Sequence, residues 1–164
     1  MKILYLLRHA KAQPQEIDGT DFARGLSKQG YAEVLEMAEK ANMLSIKAEL
    51  VIASAAIRTT QTAQFFAEYT GLNADVIQSE QRLYNSAIGQ YLEVINQLPE
   101  GVNNVVLLGH NPTISDLVNY LSNTYEVDLP TAGFVKLCLL SDTWAGVGSG
   151  IASIEWVKVP DSQR

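Results

Sequence analysis

The chain of 164 residues holds a single cysteine and only two histidines, and its scarcities narrow what it can be. With Cys138 alone, neither an internal disulfide nor a cysteine-based zinc site can form within the chain. Cationic residues are in the minority, 12 against 18 acidic ones, and the formal charge of −6 argues against a nucleic-acid surface. Long apolar runs are missing, and no window approaches the roughly 18 residues that a membrane span needs. The N-terminal run from Ile3 to Leu7 stops at Arg8. It is too short for a signal peptide's apolar region and no small-residue cleavage site follows, so a cytoplasmic location is expected. No linker, repeat or low-complexity segment interrupts the chain. Residues 1–164 are expected to form one domain, since a single core rarely divides below about 250 residues.

What is present is an alternation of strands and helices. Ile3 to Leu7, Leu50 to Ala53 and Val105 to Leu108 are short continuous apolar runs, as in strands buried on both faces. Ala74 to Gln78 reads as a weaker, peripheral strand. After Ser27 as N-cap, Tyr31, Val34, Leu35, Ala38 and Ala41 form a helical stripe, with Glu33, Glu36 and Lys40 opposite. A second stripe runs from Thr59 through Phe66 to Tyr69 and closes at Gly71. A third runs from Ile88 to Leu98, before Pro99 and Gly101. Asn111-Pro112 predict the N-cap and first position of a fourth helix, with Ile114, Leu117, Val118 and Leu121 inward. Gly133 to Leu140 and Ile151 to Val159 are strand-like around a glycine-rich loop, which predicts an antiparallel hairpin. The order implies an α/β protein: a three-layer αβα sandwich with a mostly parallel sheet and a C-terminal antiparallel hairpin.

Ligands of open α/β sheets bind beyond the carboxyl ends of the strands. The first strand runs into Arg8-His9, the second into Ser54 to Arg58, and the Val105 strand into Gly109-His110-Asn111-Pro112. An arginine past a strand is commonly a solvated surface residue, and a lone histidine is commonly structural. Both histidines and two arginines converging on one edge, on loops that precede helices, indicate an active site. Phosphoryl transfer suits the set. The guanidinium fork matches phosphate oxygens, and neutral imidazole is a nucleophile able to carry a phosphoryl group. A second, protonated histidine and the helix N-terminus after Pro112 would add donors for the equatorial oxygens.

Other chemistries fit less well. No Gly-x-x-x-x-Gly-Lys-Ser/Thr segment is present. Gly146, Gly148 and Gly150 lead into a strand, so they read as a hairpin loop. Cys138 lies in an apolar strand with no arginine six residues on, and reads as a buried inert thiol. Phe134, Trp144 and Trp156 read as packing residues.

Leu7-Arg8-His9-Ala10, then Ser54 through Ala63, then Leu108-Gly109-His110-Asn111-Pro112 together resemble the histidine phosphatase superfamily, the phosphoglycerate mutase-like fold. Within it, Arg-His-Ala-Lys-Ala after the first strand is similar to the short SixA-type phosphohistidine phosphatases. Arg24-Gly25-Leu26-Ser27 followed by Gly30 adds to the likeness, although Gly25 stands where many members carry proline. The likeness runs to about Trp156. It implies that His9 is the nucleophile, transiently phosphorylated, and that Arg8, Arg58 and His110 form the phosphate pocket. Arg24 and Asn111 are further implied substrate-binding positions, and neither a metal nor a cofactor is implied. Larger mutase-like members carry a proton-donating glutamate in a Glu-Arg-His-Tyr-type segment. The matching stretch here is Gln81-Arg82-Leu83-Tyr84, with Glu80 adjacent. The short span before the Val105 strand leaves no room for a capping insertion.

A site without a strong acid and without a cap favours phosphohistidine on a partner protein, because its nitrogen leaves more readily than an alkoxide. Two other readings stand beside it: a small-metabolite phosphomonoesterase acting on a sugar or nucleotide, and a non-catalytic phosphate- or phosphoprotein-binding module. Nothing in the sequence indicates an oligomeric state.

Overall fold

The computed structural model describes residues 1–163. Strand β1 (Ile3–Arg8) is followed by α1 (Lys28–Met43), β2 (Leu50–Ser54) and α2 (Ile57–Thr70). Then come β3 (Ile77–Glu80), α3 (Ile88–Asn96), β4 (Asn104–Gly109) and α4 (Thr113–Ser122). Strands β5 (Phe134–Leu139) and β6 (Ala152–Lys158) complete the sheet. Its order is β3-β2-β4-β1-β5-β6. The first four of these are mutually parallel, and β5 is antiparallel to both β1 and β6. No helix among the described residues is long and apolar enough to cross a membrane.

The apolar runs are continuous because both faces of the sheet are covered. Leu4 and Leu6 of β1 share a core with Tyr91 and Ile95 of α3 and with Leu117 and Val118 of α4. Tyr5 and Leu7 point the other way, into Val34, Met37 and Ala38 of α1 and Phe66 of α2. The α/β sandwich and its C-terminal hairpin are as the sequence predicts. Register then sets the site. Arg8 pairs with Gly109 and Ala53 with Leu108, so β1, β4 and β2 end side by side.

Several local expectations are corrected. Only the second half of the Ala74 segment is strand, since Ala74–Val76 form a 3-10 turn stabilised by the Asn73 side chain. Helix α4 begins at Thr113 after a cis Asn111-Pro112 bond, so Asn111 is not its N-cap. Arg58 lies in the first turn of α2 rather than on a loop. Cys138 is half-buried and its thiol donates to Glu155 Oε2 at 3.0 Å; its side chain sits on the outer face of a hairpin strand, not in the core. Trp144 and Phe134 are buried as expected.

Helix α1 is rotated from the predicted stripe. Ser27 does cap it, accepting from the Gly30 N–H. However, Gly30, Glu33, Val34, Met37, Ala38 and Ala41 are buried, while Tyr31 and Leu35 are exposed. The rotation follows from Gly30. Its Cα lies against the Lys11 carbonyl so closely that a Cβ would collide with it, and only glycine allows the helix to approach there.

Candidate active site

His9 follows directly on β1 and is held by backbone on both sides. Its N–H donates to the Gly109 carbonyl at 3.1 Å, and its carbonyl accepts from the Ala132 N–H at 3.1 Å. Ring Nδ1 lies 2.7 Å from the Ala10 carbonyl. A carbonyl only accepts, so Nδ1 carries the proton and Nε2 keeps the lone pair. Burial, together with the nearby His110, Arg58 and Arg8, pushes the His9 pKa down to about 3, against the opposing pull of the Ala10 hydrogen bond. The side chain is thus neutral near pH 7, with Nε2 free to act as a nucleophile.

Arg58, 5% exposed, spans the two histidines. Its Nε donates toward His9 Nε2 at 3.4 Å and its Nη2 lies 3.3 Å from His110 Nδ1. Because the guanidinium only donates, His110 Nδ1 accepts and its Nε2 carries the proton, directed at Ser54 Oγ 2.7 Å away. Burial and Arg58 push the His110 pKa down to about 4, with Asp21 opposing. The resting His110 is neutral, contrary to the protonated donor expected from sequence. The backbone around it is set by Tyr91, whose hydroxyl accepts from the His110 N–H at 3.2 Å and donates to the Leu83 carbonyl at 3.1 Å. Gly109 has no side chain because that ring occupies the space a Cβ would take.

Arg8 donates from Nη1 to the Leu129 carbonyl at 2.8 Å, and its buried Nε has no partner among the described residues. Such an orphaned donor is costly unless a ligand completes it. Arg24 reaches the same pocket, but its donors are engaged by Asp21 and by the Gln13 carbonyl. Asn111 also lines the pocket, with its amide bonded to Asp128 and Leu129 and its oxygen accepting from Ser115 Oγ. Its side chain therefore braces the 128–129 loop behind Arg8. The N–H of Ile114 is bonded to the His110 carbonyl, so this donor of the α4 N-terminus is already taken.

Three residues at or behind the site escaped the sequence reading. Asp21 accepts from Arg58 Nη2 at 3.1 Å, from the Tyr84 hydroxyl at 2.9 Å and from Arg24 at 3.0 Å. Burial works against its charge, but these three donors hold its pKa down at about 2. Tyr84 packs edge-on against His110 with ring centres 5.7 Å apart. Glu33, 3% exposed, accepts from the Lys11 N–H at 2.9 Å and from Thr131 Oγ1 at 3.0 Å, tying together two loops that line the pocket. Its signal was available: Gly30, Glu33 and Met37 fall on one helical face. Asp21 and Tyr84 carry no comparable local signal, because only the tertiary fold brings their loops together. Gln81, in contrast, is exposed and borders neither cavity. Glu80 is drawn to Arg82 at 2.9 Å, a contact that also lowers its pKa.

Two adjoining cavities result. The smaller, about 570 Å³, is bordered by Arg8, His9, Arg24, Arg58, His110 and Thr131. The larger, about 1030 Å³, shares Asp21, Arg58, His110 and Asn111 with it and extends along α4. Among the described residues no three His, Cys, Asp or Glu side chains gather as ligands for a metal ion.

Residues 4–99 match the model of the histidine phosphatase superfamily, branch 1. An uncharacterised protein of Mycobacterium tuberculosis is 32% identical, over 94% of this chain and 99% of its own. The protein histidine phosphatase SixA complexed with tungstate superposes with a TM-score of 0.83 at 20% identity, over 99% of each chain. A putative phosphohistidine phosphatase SixA from Agrobacterium tumefaciens gives 0.80 at 27% identity, over 97% of this chain and 99% of that one. The same fold carries metabolite phosphatases, a mycobacterial glucosyl-3-phosphoglycerate phosphatase among them. With paired histidines and arginines at the strand ends, and a family model that covers more than half its length, the chain belongs to the histidine phosphatase superfamily.

Proposed function

We propose that this chain is a metal-independent phosphatase that removes the phosphoryl group from phosphohistidine on a partner protein. The observation that carries the reading is the Arg58 fork, with Nε on His9 Nε2 and Nη2 on His110 Nδ1. A phosphoryl group entering the smaller cavity takes over these donors and the orphaned Arg8 Nε. His9 Nε2 attacks phosphorus, and the bond from phosphorus to the substrate nitrogen breaks. The departing imidazole keeps or takes a proton from solvent and leaves neutral. Water then attacks the phosphorus on His9, releasing inorganic phosphate and restoring the free nitrogen. Arg8 and Arg58 neutralise the equatorial oxygens, the role a divalent cation fills in other phosphoryl-transfer sites.

The preference for a P–N bond rests on the protonation states. At neutral pH the pocket holds Asp21 as a carboxylate and both histidines as neutral rings. None is a ready acid for an alkoxide leaving group, and general acid catalysis is typically worth about 10²–10⁴-fold. The test is a substrate panel assayed with and without a chelator: a phosphohistidine peptide, an aryl phosphate and a sugar phosphate. The peptide should be the best substrate, chelation should leave its rate intact, and an acid-labile phosphoryl group should be trapped on wild type but not on His9→Ala. Preferred turnover of the sugar phosphate would make the chain a metabolite phosphatase. Stoichiometric vanadate binding without turnover of any substrate would make it a binding module.

A further inference from the structure

We infer that the larger cavity seats the leaving-group side of the substrate and selects a polypeptide segment with a basic residue beside the phosphorylated side chain. The inference rests on the proposed phosphohistidine activity and adds a specificity to it. One wall is the outward face of α4, where Asp116, Asn119 and Tyr120 recur at helical spacing, with Asn123, the left-handed C-cap, just beyond. The inward face of that helix, with Ile114, Leu117, Val118 and Leu121, is spent on the core. Tyr84, packed on His110 and bonded to Asp21, lines the cavity beside the shared residues, and Tyr125, 91% exposed, stands on the rim.

The charge balance of this cavity is unlike that of its neighbour. Its one bordering cation among the described residues is Arg58, already engaged by Asp21 and both histidines. The Asp116 carboxylate makes no hydrogen bond or ion pair among the described residues. Its place in the first turn of α4 suits the helix dipole, but that does not account for the tyrosines beside it. A leaving group with a second phosphate or a carboxylate would face Asp116 with no cation to offset it. A lysine or arginine would find the Asp116 carboxylate, unpaired where Asp21 is already taken by Arg58, Arg24 and Tyr84, and the rings of Tyr120 and Tyr125 beside it. In-line transfer ejects the leaving atom away from His9, so its attached chain needs an open trough beyond the phosphate pocket.

Three probes test this: phosphoramidate, which occupies only the phosphate pocket, and two phosphohistidine peptides that differ by lysine or glutamate next to the phosphorylated residue. The wild type should favour the lysine peptide by about tenfold in kcat/KM, as expected of one exposed ion pair plus one cation–π contact. Asp116→Asn should shrink that ratio, Asp116→Lys should invert it, and Tyr125→Ala should raise KM for the lysine peptide. Phosphoramidate turnover reports whether the phosphate pocket of each variant is intact. Equal use of both peptides by wild type and by Asp116→Lys would overturn the assignment of the groove and leave the phosphohistidine activity standing. Hydrolysis of phosphoramidate with neither peptide accepted would overturn both.

Discussion

The Nε–H of Arg58 lies 3.4 Å from His9 Nε2, so a fixed cation faces the one ring nitrogen able to attack phosphorus. The contact does two things at once. It disfavours a proton on His9, and it keeps in place the donor that a phosphoryl oxygen needs when it arrives. Nucleophile and anion receptor are therefore preset by the same pair of atoms.

Arg58→Lys keeps a positive charge but loses the planar fork that reaches His9, His110 and Asp21 together. Losing one buried charge-assisted hydrogen bond typically costs about 1–3 kcal/mol, so kcat/KM should fall by roughly tenfold or more. Steady-state kinetics on a phosphohistidine peptide give the answer. Kinetics close to wild type would mean that Arg58 does not hold the phosphoryl group.

Acid should destabilise this protein from an unusually high pH. An unfolded histidine takes its proton near pH 6.5, whereas His9 in the fold resists until about 3 and His110 until about 4. Between these values the unfolded chain binds more protons, so stability is full above 6.5 and declines as the pH falls. At pH 5 the loss from His9 alone is roughly 2 kcal/mol. Asp21 extends the decline at lower pH: held ionised down to about 2, it loses its contribution as pH falls through that value. Urea unfolding of wild type and His9→Asn from pH 8 to 5 should show a shallower pH dependence in the variant, and parallel curves would rule this origin out.

Glu33 acts at a distance from phosphorus, as a positioning residue. Glu33→Ala leaves the Lys11 N–H and the Thr131 hydroxyl without their acceptor, at a cost of roughly 2–4 kcal/mol. Glu33→Gln retains an acceptor and should fold, yet bind vanadate more weakly because the loops flanking Arg8 are less firmly tied. Equal vanadate inhibition of Glu33→Gln and wild type would reduce Glu33 to a purely structural role.

Across a series of phosphate esters, kcat should drop steeply as the leaving group becomes more basic, since no protonated acid stands in the pocket. Gln81→Glu should not alter that slope, because residue 81 is exposed and borders neither cavity. A flat series in wild type, measured where dephosphorylation of His9 is not limiting, would reveal an acid after all. Asp21 would then be the first residue to examine.

The strands and the Arg8, His9 and His110 positions are legible in sequence because each follows from something local, an apolar run that ends and a polar residue beyond it; Arg58 is legible as part of the segment that follows β2, although it lies in the first turn of α2. The start of helix α1 at Ser27 is legible, but its rotation is not. Tyr31 and Leu35 look like core residues, while the real core face is dictated by the approach of Gly30 to Lys11, a contact across the fold. Asp21 is hidden for a related reason. It lies far from Arg58 along the chain, and nothing near it in sequence indicates three converging donors. The position that holds the acid in larger mutase-like members reads as Gln81 with Glu80 beside it, and in the fold Glu80 pairs with its near neighbour Arg82.

His9 hangs between the Gly109 carbonyl on one side and the Ala132 N–H on the other, at the end of a strand with neighbours on both flanks. Fraying of a sheet begins at its margins, here β3 and β6, and neither strand contributes to that suspension. Loosening at the margins can therefore proceed without disturbing the nucleophile. In hydrogen–deuterium exchange the amides of His9 and Ala132 should be among the last to exchange, while those of β3 exchange early. A heated or partly denatured sample should accordingly keep its capacity to take up a phosphoryl group after its rim has begun to open.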